Sequence, residues 1–310
     1  MDFPLLNRLF SNPTYSRIGF FGLLIFSVIL NSFLLQNNNP LYIMYVLAAI
    51  FLGIGFYNKP LWFLTLLTIV VVVCRYYYIP DSEPHLGLFL IHLLTYLLIT
   101  FLSASLMKYV QKVKEDNLEL ITALANALDS RDSYTMNHSE NVAKYSVAIA
   151  EKMNLSKESC DIIHKGALLH DVGKIGIPEH ILKKNGRLTN EEYEIIKSHP
   201  TIGYEMIKHV GSFHNNGILD IVLYHHERMD GKGYPAGLQG NQIPLYARIV
   251  AVADTFDAMT TKRVYRDASN IEYTLNEIWK NKGTQFDPEV ADAFLSLFDK
   301  KDLKKSLKTS

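Results

Sequence analysis

The first hundred residues alternate long apolar runs with short polar breaks. Runs at about 18–35, 41–57, 61–79 and 86–107 are built from Leu, Ile, Phe and Val. Each approaches the ~20 residues that carry a helix across ~30 Å of hydrocarbon, the second being short. The breaks carry turn chemistry: Gln36-Asn37-Asn38-Asn39-Pro40, Asn58-Lys59-Pro60 and Pro80-Asp81-Ser82-Glu83-Pro84. Tight polar breaks between such runs predict four membrane-spanning helices in hairpins. From Met107 to about Leu128 the pattern becomes that of a charged amphipathic helix without Gly or Pro. Leu106, Val110, Val113, Asn117, Leu120, Leu124 and Ala127 recur in alternating steps of four and three, a short heptad stripe. Either a single helix lays this face on its own domain, or two copies form a parallel stalk; Asn117 on the stripe suits register selection and favours the stalk.

Charge divides the chain in the same place. Of 31 Lys and Arg and 31 acids in 310 residues, residues 1–106 hold four basic side chains (Arg8, Arg17, Lys59, Arg75) and three acids (Asp2, Asp81, Glu83). With the N-terminus inside, Arg8, Arg17, Lys59, Lys108, Lys112 and Lys114 are cytoplasmic and only Arg75 is not, which satisfies the positive-inside rule. The expected topology is four spans with both termini in the cytoplasm of a bacterial cell, beneath the inner membrane. The first run is too long for a cleaved signal peptide and lacks a small-residue cleavage site. Arg75, beside Tyr76, Tyr77 and Tyr78, reads as an arginine snorkelling to the headgroups, and His92 as a histidine satisfied by a neighbouring helix. Two cysteines, Cys74 and Cys160, provide no disulfide framework.

The chemistry lies in the charged remainder. Ala167-Leu168-Leu169-His170-Asp171-Val172-Gly173-Lys174 puts a His-Asp pair at the end of an apolar helical run. Neighbours on a helix diverge by about 100°, so both reach one ion only if it lies off the helix end. Asp254 emerges from Val250-Ala251-Val252-Ala253, a run that should be buried, and a buried carboxylate requires a cation. Tyr224-His225-His226-Glu227 adds two imidazoles; His138 and His199 add one each. Nitrogen and carboxylate donors without a thiolate suit Fe, Mn or Zn rather than a cysteine-based structural site. Seven donors (His138, His170, Asp171, His199, His225, His226 and Asp254) exceed one tetrahedral ion and match two that share a carboxylate. Such a pair suits phosphodiester hydrolysis, with Lys174 adding positive charge for the phosphate.

Residues from about 120 to 300 resemble the HD-GYP family, HD-superfamily phosphodiesterases acting on cyclic di-GMP. The matching segments are RDSYTMNHSENVA (131–143), LLHDVGKIGIPEHIL (168–182), LTNEEYEIIKSHPTIG (188–203), HHERMDGKGYPAGLQGNQIPLYARIVAVADTFDAMT (225–260) and KRVYR (262–266). The resemblance implies an all-α domain, a two- or three-ion Fe or Mn site, and linear pGpG or GMP as products. Carried over by position, the ligands are His138, His170, Asp171, His199, His225, His226 and Asp254. Similar proteins with a third ion place a glutamate four residues before the first ligand histidine; Tyr134 stands there, so two divalent ions are implied. Lys174 and Asp257 match groups near the scissile phosphate, and Arg263 and Arg266 match cations for the other phosphate. Lys262 and Val264 depart from the commoner DRPYR pattern, which implies a small change in loop rigidity.

Asp230-Gly231-Lys232-Gly233-Tyr234-Pro235 reads as a tight turn that also shapes a pocket lip, with Tyr234 available to stack on a guanine. Glu227 reads as orienting a histidine. His164, His180, His209 and His214 read as surface or helix-end residues. The expected organisation is therefore a membrane region (1–106), a helical linker (107–128), a phosphodiesterase domain (120–300) and a charged tail (301–310) with no role on DNA. Its expected partners are cyclic di-GMP, the membrane, a second copy of the chain and a diguanylate cyclase. The competing readings are an inert cyclic di-GMP receptor and a hydrolase of another cyclic nucleotide.

Overall fold

The computed structural model describes residues 13–34, 41–79, 86–131, 137–184, 186–214, 216–261 and 270–298. Among these there is no strand, only two isolated bridges, Asp230 with Gln239 and Lys282 with Phe286. The chain divides into two compact units, Met1–Asn117 and Leu118–Ser310.

The first unit contains α1 (Pro13–Ile29, closing in a π turn, Leu30–Leu34), α2 (Ile43–Gly55), α3 (Leu61–Tyr78) and the start of α4 (Leu86–Asp129). Among the described residues, three helices are long and apolar enough to cross a membrane: Pro13–Phe33, Leu61–Tyr78 and Leu86–Asp129. The expected fourth, α2, has 13 residues, which at 1.5 Å each rise only ~20 Å, short of the ~30 Å hydrocarbon core. Leu90, Leu94, Leu98 and Leu102, one turn apart on α4, are exposed, while Phe20, Tyr45, Leu52, Leu64 and Val71 form an apolar core to which hydroxyls and small residues add close contacts. Thr68 Oγ1 donates to Thr100 Oγ1 at 3.1 Å, and a Cβ on Gly53 would lie 2.4 Å from the Thr100 carbonyl oxygen. Small residues and hydroxyls hold helices together where the solvent is as apolar as leucine. Arg75 departs from its expected place. It is 8% exposed, buried in the bundle rather than reaching outward, and its Nη1 donates to His92 Nδ1 at 3.0 Å. A guanidinium buried among apolar helices is stabilised by hydrogen bonds within the bundle, and His92 is satisfied from the neighbouring helix as expected.

Residues 107–128, expected as a helical linker, are helical and form part of α4, which runs unbroken for 44 residues. Over its last three turns, Leu118, Ile121 and Ala125 pack on the core of the second unit. The heptad stripe lies elsewhere: Val113, Leu120 and Leu124 are exposed, so the helix does not use the stripe to cover its own domain.

The second unit continues with α5 (His138–Lys152), α6 (Lys157–Leu169), a 3-10 turn (Val172–Gly176), α7 (Glu179–Leu182), α8 (Asn190–Lys197), α9 (His199–Ile207), α10 (Ile218–Tyr224), α11 (Leu245–Thr260), α12 (Ile271–Lys280) and α13 (Pro288–Leu295). Helix α11 is the centre, with Ile249, Val250, Val252, Ala253 and Phe256 all buried. Helices α5, α6, α10, α12 and α13 pack around it. Phe256 meets Tyr145 and Phe294 edge-on at ring distances of 5.0 and 4.9 Å, a favoured aromatic geometry. Asp254 is carried by this central helix, between the buried Ala253 and Phe256, and is itself partly buried. Residues 301–310 lie outside the described residues.

Candidate metal centre

Each candidate donor sits at a helix boundary or on the buried face of α11. Helix α6 stops at Leu169, and the chain turns through His170 and Asp171 into the 3-10 turn. That turn lies against the start of α9 so closely that a Cβ on Gly173 would stand 1.9 Å from the His199 carbonyl oxygen. Only glycine permits this approach, and it brings His199 Nε2 to 3.2 Å from Asp171 Oδ1. His225 and His226 follow the end of α10, and His138 opens α5.

The seven expected donors converge. Asp171 stands between two groups: its Oδ2 is 3.3 Å from His170 Nε2 and 3.9 Å from His138 Nε2. Its Oδ1 is 3.2 Å from His199 Nε2 and 4.0 Å from His225 Nε2. Asp254 Oδ1 completes the first side, 3.3 Å from His138 Nε2 and 3.9 Å from His170 Nε2. His226 completes the second, its ring 4.1 Å from His225 and 5.0 Å from His199. The two sets able to hold an ion are thus His138, His170 and Asp171, and Asp171, His199, His225 and His226.

The outer ring nitrogens are held in turn. His170 Nδ1 donates to the Ala167 carbonyl at 2.7 Å, His199 Nδ1 to Ile196 at 2.7 Å, and His225 Nδ1 to Val222 at 3.0 Å. His138 Nδ1 donates to Asp257 Oδ2 at 2.7 Å. A proton on each Nδ1 leaves Nε2 as a lone-pair donor facing inward, the arrangement that metal-binding imidazoles require. His170 Nε2 is fully buried without a hydrogen bond. A buried ring nitrogen left so, opposite two carboxylates, fits a cation between them.

Electrostatics follow from this crowding. Burial pushes His226 down to about 4 and His225 well below the usual imidazole range, so both are neutral at physiological pH. Burial acts the same way on His138, but hydrogen bonds to Asp254 and Asp257 outweigh it and raise its pKa to about 10. Burial opposes ionisation of Asp254, yet the His138 bond and the charges of His170 and His138 hold its carboxyl well below the ordinary range. Asp171 is depressed in the same direction, against its burial, chiefly by Lys174 and His170.

Around the donors, the other candidate residues are engaged by neighbours. Asp257, expected beside the scissile phosphate, is one turn from Asp254 on α11 and grips the outer nitrogen of His138. Lys174 is ion-paired with Asp171 Oδ2. Glu227 orients no histidine through its described bonds; its two carboxylate oxygens accept the Ala236 and Leu238 N–H groups at 2.7 and 3.0 Å, tying down the glycine-rich turn. Tyr234, on that turn, is half-buried with its ring 4.8 Å from His226 and tilted by 33°, so one aromatic face is already covered by a candidate ligand. Lys197 Nζ lies 5.6 Å from the same ring and from Tyr193, a cation and an aromatic within the 188–203 segment that carried no expected role. Tyr134, Arg263 and Arg266 lie outside the described residues.

Residues 122–290 match the HD domain family. The chain is 43% identical over 197 residues to the cyclic di-GMP phosphodiesterase response regulator RpfG of Xanthomonas campestris, covering 63% of this chain and 51% of that protein. It is 45% identical over 188 residues to a cyclic di-GMP phosphodiesterase of Thermotoga maritima, covering 59% and 50%. It is also 37% identical over 187 residues to the 3'3'-cGAMP-specific phosphodiesterase 2 of Vibrio cholerae, covering 60% and 36%. The chain spans about half the length, or less, of these curated relatives.

Proposed function

The chain belongs to the HD domain family, and from that premise we propose that its second unit is a metal-dependent phosphodiesterase that hydrolyses cyclic di-GMP. One observation carries this reading: Asp171 presents one oxygen to each of two buried donor groups, with four imidazoles locked so that Nε2 faces inward. His138, His170, Asp171 and Asp254 would hold one divalent ion, and Asp171, His199, His225 and His226 the second, with iron or manganese suited to the nitrogen and oxygen donors. When bound, the ions supply Lewis acidity toward the phosphate and a water acidic enough to attack it. Asp257 keeps the Nδ1 proton of His138 in place, which maintains Nε2 as the donor. Lys174 holds a positive charge beside Asp171, available to an anionic phosphate. Glu227 keeps the Tyr234 turn against His226, closing that side of the centre to water. Arg263 and Arg266 remain the proposed cations for the second phosphate.

The first unit would anchor the enzyme in a bacterial inner membrane. Lys108, Lys112 and Lys114, directly after the last apolar stretch, would place the second unit in the cytoplasm. The exposed stripe on α4 suits a parallel homodimer.

The relatives support cyclic di-GMP, and the Vibrio cholerae protein supports 3'3'-cGAMP as the second reading. The test is product chromatography on the full chain, purified anaerobically in detergent with its metal content measured, offered each dinucleotide. The expected result is conversion of cyclic di-GMP to pGpG or GMP, lost together with metal in His170→Ala and Asp171→Ala. Turnover of 3'3'-cGAMP alone would transfer the assignment to that substrate. Metal-loaded protein inert toward both would refute hydrolysis and leave a receptor.

A further inference from the structure

Helix α5 begins at His138 behind Asn137, which has a φ of 64° and makes no capping bond with its side chain. The first N–H groups of a helix need an acceptor, normally the side chain at that preceding position. Here the acceptor arrives from the far end of α4. The carboxylate of Asp129, the last residue of that helix, accepts the Ser139 N–H at 2.9 Å and the Ser139 hydroxyl at 2.8 Å. Asp129 is 5% exposed and within electrostatic reach of His138 and His170. Its negative charge at the start of α5 also complements the helix dipole. Two residues later, Arg131 Nη1 donates to the carbonyls of Ile175 at 3.0 Å and Lys174 at 3.4 Å. These belong to the 3-10 turn that directly follows Asp171. The end of α4 therefore grips the backbone beside His138 and the backbone beyond Asp171. The other histidines, His199, His225 and His226, are placed by α9 and α10.

We propose that Asp129 and Arg131 make the C-terminal end of α4 a positioning device for the His138–His170–Asp171 side of the metal centre, so that displacement of α4 changes occupancy of that side. The proposal rests on the centre binding two ions, and only its kinetic part rests on cyclic di-GMP hydrolysis. Asp129 and Arg131 are positioning residues: they act on the donors through Ser139 and the 3-10 turn. Charge-assisted bonds from a carboxylate and a guanidinium are short and directional, and a donor displaced by a fraction of an ångström no longer matches its ion.

The test strips the full chain of metal in detergent and titrates it with Mn²⁺ by calorimetry, alongside thermal unfolding and steady-state kinetics. Asp129→Ala is expected to weaken one Mn²⁺ by about 10-fold or more, the usual effect of removing an outer partner, while the second binds as before. The kcat for cyclic di-GMP should fall, with KM little changed. Asp129→Asn, which keeps one acceptor oxygen for Ser139, should restore part of that affinity and serves where the alanine variant does not accumulate. Arg131→Ala should weaken the same ion. Asp287→Ala is the control for a purely structural loss, because Asp287 caps α13 through the N–H groups of Glu289 and Val290; it should lower Tm and leave the Mn²⁺ profile intact. Wild-type Mn²⁺ affinities in Asp129→Ala, or both lost in step with Tm, would overturn the proposal. If the wild-type chain takes up Mn²⁺ but leaves cyclic di-GMP intact, the substrate reading fails while the titration still decides the positioning.

Discussion

His138 shows how one residue's behaviour is set by its surroundings. Asp254 and Asp257, three positions apart on α11, approach opposite nitrogens of its ring at 3.3 and 2.7 Å. In metal-free protein this raises its pKa to about 10, above the ordinary imidazole value near 6.5. The stabilisation is then fully present below about pH 6.5 and is lost as pH rises toward 10. His226, at about 4, acts oppositely. Between about pH 6.5 and 4 the unfolded chain takes up a proton that the folded chain refuses, so stability is lost as pH falls through that window. The chelator-treated protein should therefore be most stable near pH 6.5, with Tm lower by several degrees at about pH 4.5 and again at about pH 9.5. Thermal unfolding across that range checks this, and a flat profile would contradict the placement of both rings. The His170-Asp171 and His225-His226 pairs stood out in the sequence, because such pairs at the ends of apolar runs have no ordinary packing role; Asp254 stood out by its apolar run, and the resemblance added the positions of His138 and His199. The positions of Asp257 and Glu227 were not legible. A carboxylate one turn beyond Asp254 reads equally well as facing substrate or backing a histidine, and only the approach of α5 to α11 decides which.

Between elements, close approach matters more than helix propensity. The 3-10 turn and α9 meet where a side chain cannot fit, at Gly173. Gly173→Ala would push against the His199 carbonyl and the Gly203 N–H, a backbone clash that costs roughly 1–3 kcal/mol or more. The expected outcome is lower Tm and a selective loss of the ion held by Asp171, His199, His225 and His226, measured by Mn²⁺ titration; unchanged binding would show that the turn yields freely. The stripe on α4 is a second lesson at this scale. Its spacing was plain in the sequence, but the same helix carries another apolar face, Leu118, Ile121 and Ala125, and only packing shows that this one meets the core.

For the whole molecule, the two units differ in what they expose. In the first, a row of α4 leucines faces outward around an apolar core in which Thr68, Thr100, Arg75 and His92 are paired; in the second, Phe256, Phe294 and Ile249 fill the core. The first unit should therefore stay in the membrane pellet after alkaline carbonate extraction. A fluorescent protein fused after Ser310 should mature in cells, whereas alkaline phosphatase fused there should stay inactive, as cytoplasmic placement requires; the reverse pair of results would invert the topology. Hydropathy and motif spacing are properties of neighbours along the chain, so the sequence by itself determined that an apolar region precedes a helical HD domain and which side chains could bind metal. Tertiary structure alone decided that Arg75 turns inward to His92 and that Asp129 caps the helix bearing His138. Those outcomes depend on which helices meet and at what height, and contacts between residues distant along the chain leave no periodic trace in it.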